Sequence, residues 1–341
     1  MKVVVDSLQI AQNYSGLGRQ VLSIGRELAR LPEDVALELR CAAETLPLLS
    51  PAFPARTAFE TPIARARPRL RRILRQQLIA PVSDPGSTLL VCIGDQAPAW
   101  GRARILLVVN DVRRLTRPDT AGAAENAYYR LLVPLAARHA SVVATISAFS
   151  RAEIQRALGL DARVIADHPP PRVERPAESP DGPVLVVGSL RPYKGVETVL
   201  QAVRLLEKRP RVVIVGEGDV EPYRRFAEHL DVAFAGWVSE ERLDGLYRSA
   251  RATVSASRYE GYGLPVAESL SYGLPTIASD IPPHREVAGD AAVYFPPGDP
   301  AALAAALSAD HAGLGARALQ RSRELARLGP RWGDVIMEAL E

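Results

Sequence analysis

The sequence predicts an α/β protein of two domains, each built on a parallel sheet. Three observations carry that expectation. Short apolar runs rich in valine, isoleucine and leucine alternate with stretches of helical spacing. The alternation stops at a proline-rich stretch, DHPPPRVERPAESPDGP at 167–183, and then restarts. The length of 341 residues exceeds what one core ordinarily covers, and a 47% hydrophobic content is enough for two.

KVVVD at 2–6 reads as a buried strand that ends on an acid. The irregular SLQIAQNYSGLGRQ follows, and helical spacing resumes over 19–30. VALELR at 35–40, TLLVCIGD at 88–95, RILLVVND at 104–111 and SVVATISAFS at 141–150 supply further strands. A helix is expected over 151–158, with Ser147 or Ser150 as its N-cap. Beyond the prolines, PVLVVGSL at 183–190, RVVIVGEGD at 211–219, VAFAGWVS, ATVSASRY at 252–259 and PTIASD at 275–280 read as strands. Helices are expected over 195–208 and near 221–229. The domains are therefore drawn as 1–170 and 184–341 with a linker at 171–183. The terminal helix is free to pack back on the first domain.

Composition narrows the function classes. A formal charge of +3 with 24% charged residues gives no reason to expect a nucleic-acid partner. Cys41 and Cys92 form no CxxC pair, and the five histidines match no metal-ligand spacing, so neither a disulfide framework nor a metal site is expected. No apolar run approaches the ~20 residues that span a bilayer. MKVVVDS lacks the parts of a signal peptide, which points to the cytoplasm or its membrane face. One segment stands apart. Between residues 65 and 75 lie six arginines, interleaved with Leu70, Ile73 and Leu74. Two readings stay open: a basic amphipathic helix lying on an anionic membrane, or a solvated helix packing its apolar side on the domain.

The chemistry concentrates at the carboxyl ends of the second-half strands, where ligands of open parallel sheets bind. Lys194 and Gly195 follow one strand and open a helix, a placement that suits a phosphate, with Arg191 as a second positive group. Gly216 and Gly218 form a tight strand-to-helix turn without the full dinucleotide spacing. The stretch E260-GYGLPVA-E268 places Gly261, Gly263 and Leu264 before Pro265, which fits the first turn of a helix running from about 265 to 272. Gly273 and Pro275 of a second YGLP then end that helix. Free N–H groups at such a helix start hold a diphosphate. Glu260 and Glu268 suit hydroxyls at the two ends of one ligand, while an exposed Glu260 and a Glu268 that merely complements the helix dipole is the other reading.

With those residues in view, the chain resembles the GT-B fold retaining glycosyltransferases of the family 4 group. E260-GYGLPVA-E268 matches the family's E-x7-E element, and the likeness continues to Glu286 in HREVAGDAAVYFPPGDP. It is strong from about 183 to 300 and looser before. The resemblance implies two Rossmann-like α/β domains facing across a central cleft. It implies transfer of a hexosyl group from a nucleotide-sugar donor, with GDP-mannose preferred slightly over UDP- and dTDP-sugars. It implies no permanently bound cofactor and no metal, and a glycan or lipid-linked saccharide acceptor in cell-envelope polysaccharide synthesis. By the same resemblance Glu260 contacts the transferred sugar, Glu268 the ribose hydroxyls and Lys194 the diphosphate. Gly216 and Gly218 lie by the nucleoside, and Glu286 shapes the donor pocket. Gly16, Gly18 and Arg19 form a glycine loop near the donor phosphates. Asn110 and Asp111 stand where many members have a His–Asp pair, and Ser147 and Ser150 lie in the serine-containing strand-to-helix segment. Three departures are visible. Ser189 replaces an arginine, Asn110 replaces a histidine, and ADHPP replaces an asparagine-containing segment. An amide hydrogen-bonds a sugar but cannot relay a proton as imidazole does. A nucleotide-sugar 2-epimerase or hydrolase, and a non-catalytic nucleotide-sugar binding protein, are the alternative readings.

Overall fold

The computed structural model describes residues 1–10, 16–65, 69–79, 84–94, 96–116, 123–165, 167–174 and 179–341. Residue contacts divide the chain into two compact units, Met1–Asp167 with Gly329–Glu341, and His168–Leu328. Each unit carries one parallel sheet flanked by helices, the two Rossmann-like domains of a GT-B fold.

The first sheet has the order β3-β2-β1-β4-β5-β6-β7. Its strands are β1 Lys2–Asp6, β2 Ala36–Ala42, β3 Thr57–Ile63, β4 Thr88–Ile93, β5 Arg104–Val108, β6 Val142–Thr145 and β7 Arg163–Val164. Its central strands are covered on both faces, which is why they read as continuous apolar runs. Val3, Val5, Leu89 and Val91 meet Val21 and Ile24 of the helix Gly16–Glu27 on one face. Val4, Leu90 and Cys92 meet Ile105, Val143 and Ile154 on the other. The edge strands are less regular. β3 is largely exposed along its length, and its TAFETPI pattern gives little strand signal. Both cysteines are free and buried, and burial raises their thiol pKa values, Cys41 to about 11.

The last helix, Trp332–Leu340, belongs to this first unit. Trp332, Val335, Ile336, Ala339 and Leu340 enter the same core cluster as Val3, Val21 and Ile24. Trp332 is among the largest fully buried side chains of the protein. Asp167, the other end of this unit's main segment, lies nearby. Burial pushes its pKa up to about 6 against the pull of the Ser23 and Trp332 side chains, and Glu27 adds to the rise.

At the carboxyl ends of these strands sits a buried ionic cluster. Register aligns Asp6 with Arg40 and Arg40 with Glu60. Arg40 donates to both oxygens of Asp84 at 3.0 and 3.1 Å, to Glu60 at 2.7 Å and to Glu38 at 3.0 Å. The bidentate fork satisfies a guanidinium that is almost fully buried. Arg75 from the arginine-rich segment also pairs with Glu60. The segment folds as a helix over Arg69–Leu74 continued by a π-helical turn at Arg75–Ile79. Its orientation corrects the reading in which the apolar side packs inward. Arg72 and Gln76 are buried, whereas Leu74, Leu78 and Ile79 are exposed. The pull of Glu60 on Arg75 and the bond from Gln76 Nε2 to the Gln96 carbonyl turn the polar side inward.

The second sheet has the order β10-β9-β8-β11-β12-β13. Its strands are β8 Val184–Val187, β9 Val212–Val215, β10 Val232–Gly236, β11 Ala252–Ser255, β12 Thr276–Ser279 and β13 Val293–Phe295. The chain winds outward from β8 to β10 and then returns to place β11 on the other side of β8. That reversal opens a crevice beyond the carboxyl ends of β8 and β11, the usual ligand position of a doubly wound sheet.

Replacing Trp332 with alanine removes the largest contribution of the last helix to the first unit's core. The expected result is a loss of about 3–5 kcal/mol from the urea transition of that unit. Fluorescence and near-UV dichroism, followed against urea, read that transition.

Candidate active site

The carboxyl end of β8 leads into a 3-10 turn at Pro192–Lys194, closed by Gly195. Gly195 has φ +67°, and a Cβ there would lie 2.2 Å from the Ala256 carbonyl oxygen just past β11. Only glycine lets this turn rest against the next strand end. The Arg258 N–H donates to the Tyr193 carbonyl at 2.7 Å, and Arg258 pairs with Glu197 at 2.9 Å. These contacts bring Lys194 Nζ to 2.6 Å from Glu260 Oε1, and Ser257 Oγ donates to the same oxygen at 2.7 Å. Both partners are largely buried, at 16% and 12% side-chain exposure, so the pair is well shielded from water. Burial alone would favour a neutral Glu260. Lys194, His284 and the bond from Ser257 outweigh it and hold the carboxyl below its ordinary pKa.

From Glu260 the chain turns through Gly261, Tyr262 and Gly263 into the helix Leu264–Ser271, with Pro265 in its first turn. Gly263 has φ +95°, and a Cβ there would lie 2.9 Å from His284 Cδ2. His284 is completely buried. Its Nδ1 lies 2.9 Å from the Ser279 carbonyl and therefore carries the proton, while Nε2 lies 3.2 Å from Ser255 Oγ. Burial lowers its pKa against the attraction of Glu260. The imidazole thus ties the ends of β11 and β12 to the underside of the glycine turn. The second YGLP closes the helix as expected. Gly273 has φ +62°, its N–H bonds the Leu270 carbonyl at 3.0 Å, and the Leu274 N–H reaches Ser269 at 3.2 Å.

Glu268 sits on this helix at 5% exposure, and its Oε2 accepts a 2.8 Å bond from the Tyr247 hydroxyl. The bracketing carboxylates therefore have different partners, a lysine for Glu260 and a tyrosine for Glu268. Ser189 and Arg191 lie between β8 and the Lys194 turn, with Arg191 exposed. Gly216 and Gly218 pack against the Gly188 carbonyl and Leu190, so the close backbone approach expected there is first to the neighbouring loop. Glu286 lies on the helix Pro282–Ala288, and its carbonyl accepts from Arg321 at 2.9 Å.

In the first unit, Gly16, Gly18 and Arg19 form the start of the helix Gly16–Glu27, whereas Ser15 lies outside the described residues. Asn110, just beyond β5, exchanges two 3.1 Å bonds with Gln20 of that helix. Its carbonyl accepts from Ser150 Oγ at 2.7 Å. Asp111 accepts from the Arg113 N–H at 2.9 Å. Ser147, rather than Ser150, is the N-cap of the helix Ala148–Leu158. Sequence reasoning did not single out Gln20, Ser257, Tyr247 or His284. None sits in a diagnostic spacing, and His284 was indistinguishable from an ordinary hydrogen-bonded histidine.

Tyr262 of the glycine turn has one more partner, the Nδ1 of His168. Burial, then the nearby Arg321, pushes the His168 pKa down to about 4. An unfolded histidine titrates near 6.5. The unfolded chain therefore takes up the proton first, and stability present above about pH 6.5 is lost as the pH falls toward 4. Urea midpoints of the second unit should fall over that window, and His168→Gln should flatten the fall.

Comparison with known proteins adds to this geometry. Residues 182–309 match the family model described as glycosyl transferases group 1. An O-antigen chain mannosyltransferase of Escherichia coli is 32% identical over 191 residues, 49% of this chain and 50% of that one. An O-antigen chain mannosyltransferase of Salmonella typhimurium is 26% identical over 202 residues, 57% of each chain. The chain thus spans about half the length of these curated relatives. Among solved structures, a sucrose-phosphate synthase of Thermosynechococcus elongatus superposes with a TM-score of 0.73 at 20% identity, covering 99% of this chain and 98% of that one. An Anabaena protein crystallised with UDP and glucose gives 0.73 at 17% identity, covering 100% and 99%. The two sheets and the superpositions give the chain a GT-B fold, and its segment 182–309 is similar to the group 1 glycosyl transferases.

Proposed function

We propose that the protein transfers a hexosyl group, mannosyl by preference, from a nucleotide-sugar to a hydroxyl of a glycan or lipid-linked saccharide, with retention at the anomeric carbon. One observation carries the reading: the shielded Lys194–Glu260 pair where β8 and β11 diverge, four residues ahead of the helix Leu264–Ser271. A lysine there faces a ligand's negative charge, and the first N–H groups of the helix add donors pointing the same way. Developing charge on a departing nucleoside diphosphate meets both without reorganisation. Glu260, kept ionised by its neighbours, accepts hydrogen bonds from hydroxyls of the transferred sugar. Ser189, Arg191, Gly216, Gly218, Gly261, Gly263, Leu264 and Glu286 line or shape the donor side. Glu268 serves the ribose.

In the first unit, Asn110 and Asp111 are assigned to the acceptor side of the reaction, and Gly16, Gly18 and Arg19 to the donor phosphates. The bonds from Gln20 fix the Asn110 amide, so it orients a hydroxyl instead of moving a proton. The leaving phosphate takes the acceptor's proton on the face it departs from, and no carboxylate forms a covalent intermediate. Mannose and cell-envelope polysaccharide are favoured by the two O-antigen mannosyltransferases among the relatives, while the Anabaena complex keeps uridine donors in the screen. Among the described residues no group of three or more His, Cys, Asp or Glu side chains has metal-holding geometry, and no described helix is long and apolar enough to cross a membrane. Exposed Leu74, Leu78 and Ile79, with Trp100 bonded to the Gln77 carbonyl, suit peripheral contact with an anionic cytoplasmic membrane face.

A donor screen by ligand-induced melting shift, followed by turnover assays, tests the reading. GDP-mannose is expected to give the largest shift. Glu260→Gln should lower turnover by about 100-fold or more while leaving nucleotide affinity nearly unchanged. Unchanged turnover removes Glu260 from its central role. Excess EDTA should leave most of the activity, because Lys194 and the helix N–H groups meet the diphosphate charge; complete loss would overturn that account.

A further inference from the structure

Glu268 is almost fully buried, yet its carboxylate has a definite direction. Tyr247, on the helix Glu240–Ser249 and 2% exposed, donates its hydroxyl to Oε2 at 2.8 Å. A carboxylate is planar and offers about four lone-pair sites. Fixing one oxygen from outside the helix fixes the plane of the group and so the direction of Oε1. Tyr247 is held in turn. Its ring stacks on Tyr272 with centroids 4.8 Å apart and planes 8° from parallel. The Tyr272 hydroxyl donates to Asp244 Oδ1 at 2.7 Å, and Arg248 bonds Asp244 at 2.6 Å. Tyr272 opens the second YGLP, so the turn that ends the helix also supports the tyrosine that orients the helix's glutamate.

We propose that Tyr247 is a positioning residue for ribose recognition: it sets the plane of the Glu268 carboxylate so that Oε1 meets the vicinal hydroxyls of the donor's nucleoside. The inference rests on the nucleotide-sugar reading above and deepens it. Binding a diol with one charged acceptor needs that acceptor aimed, because the hydrogen bonds weaken steeply off axis. A rotating carboxylate would accept from water or from one hydroxyl, and would distinguish ribose from deoxyribose poorly.

The test compares GDP with 2′-deoxy-GDP, and UDP with 2′-deoxy-UDP, by titration calorimetry on the full chain. The wild type should favour the ribonucleotide by about tenfold or more for the base it accepts. Tyr247→Phe keeps the ring and its stacking and removes only the hydroxyl; the preference should fall to about twofold or less. Tyr272→Phe is the matched control. It breaks the bond to Asp244 and loosens the same packing, but leaves the Tyr247 hydroxyl in place, so the preference should survive. A preference unchanged in Tyr247→Phe, absent in the wild type, or lost equally in both variants overturns the positioning role. A wild type that binds none of the four nucleotides overturns the donor reading, and this inference with it.

Discussion

The contact between Lys194 and Glu260 is the constraint on which the second unit's architecture turns. Two opposite charges at 2.6 Å, both largely out of water, are stable only if the backbone delivers them together and other groups complete their hydrogen bonds. Several local features follow. Gly195 lets the lysine turn touch the end of β11. Ser257 supplies the second donor to the carboxylate. His284 braces the glycine turn through Ser255 and Ser279 and adds to the field that keeps Glu260 ionised. A charged pair held this way is poised for a ligand that exchanges one partner. On the function proposed above, an incoming diphosphate would take the lysine and sugar hydroxyls the carboxylate.

The two units handle buried charge differently. In the first, Arg40 is surrounded by Asp84, Glu60 and Glu38, with Asp6 adjacent in the sheet. The bidentate fork leaves the guanidinium satisfied, and the cluster links β2, β3 and the segment before β4. Its reach extends to Arg75 and helps turn an apparently amphipathic helix outward. Among the described residues of the second unit, the Lys194–Glu260 pair lies past strand ends beside glycines. Ionic clusters that close on themselves stabilise or specify structure, whereas a single pair at a sheet's reversal point suits the donor chemistry proposed above.

The parallel tyrosines of the repeated YGLP illustrate how one tetrapeptide acquires two roles. Tyr262 faces His168 at the start of the second unit, and Tyr272 stacks on Tyr247. The first copy begins a helix because its glycine adopts φ +95° ahead of Pro265, and the second ends it because Gly273 adopts φ +62° ahead of Pro275. The spacing to proline is the same in both copies, so the outcome depends on whether the copy precedes or follows the helix, and each tyrosine hydroxyl has its own partner, His168 or Asp244.

Much was legible without coordinates. Central strands announced themselves because burial on both faces demands apolar runs, and β4, β8 and β9 are such runs. The start and stop of the helix Leu264–Ser271 followed from glycine and proline stereochemistry alone. Lys194 and Glu260 were marked by their places just past strand ends, and Glu268 by its place on the helix that follows the glycine turn. The edge strands β3, β7 and β13 were not read, because a strand half open to solvent or only a few residues long loses its apolar signature. The inward face of the 69–79 helix was left open between two readings, since periodicity cannot register Glu60 pulling on Arg75 from a neighbouring strand. Likewise only tertiary structure paired Lys194 with Glu260, Asn110 with Gln20, and Glu268 with Tyr247, across separations of 66, 90 and 21 residues. Local sequence determines backbone preference and burial pattern, which act over a few residues. Which polar group answers which is decided by packing between elements that the chain alone leaves unordered.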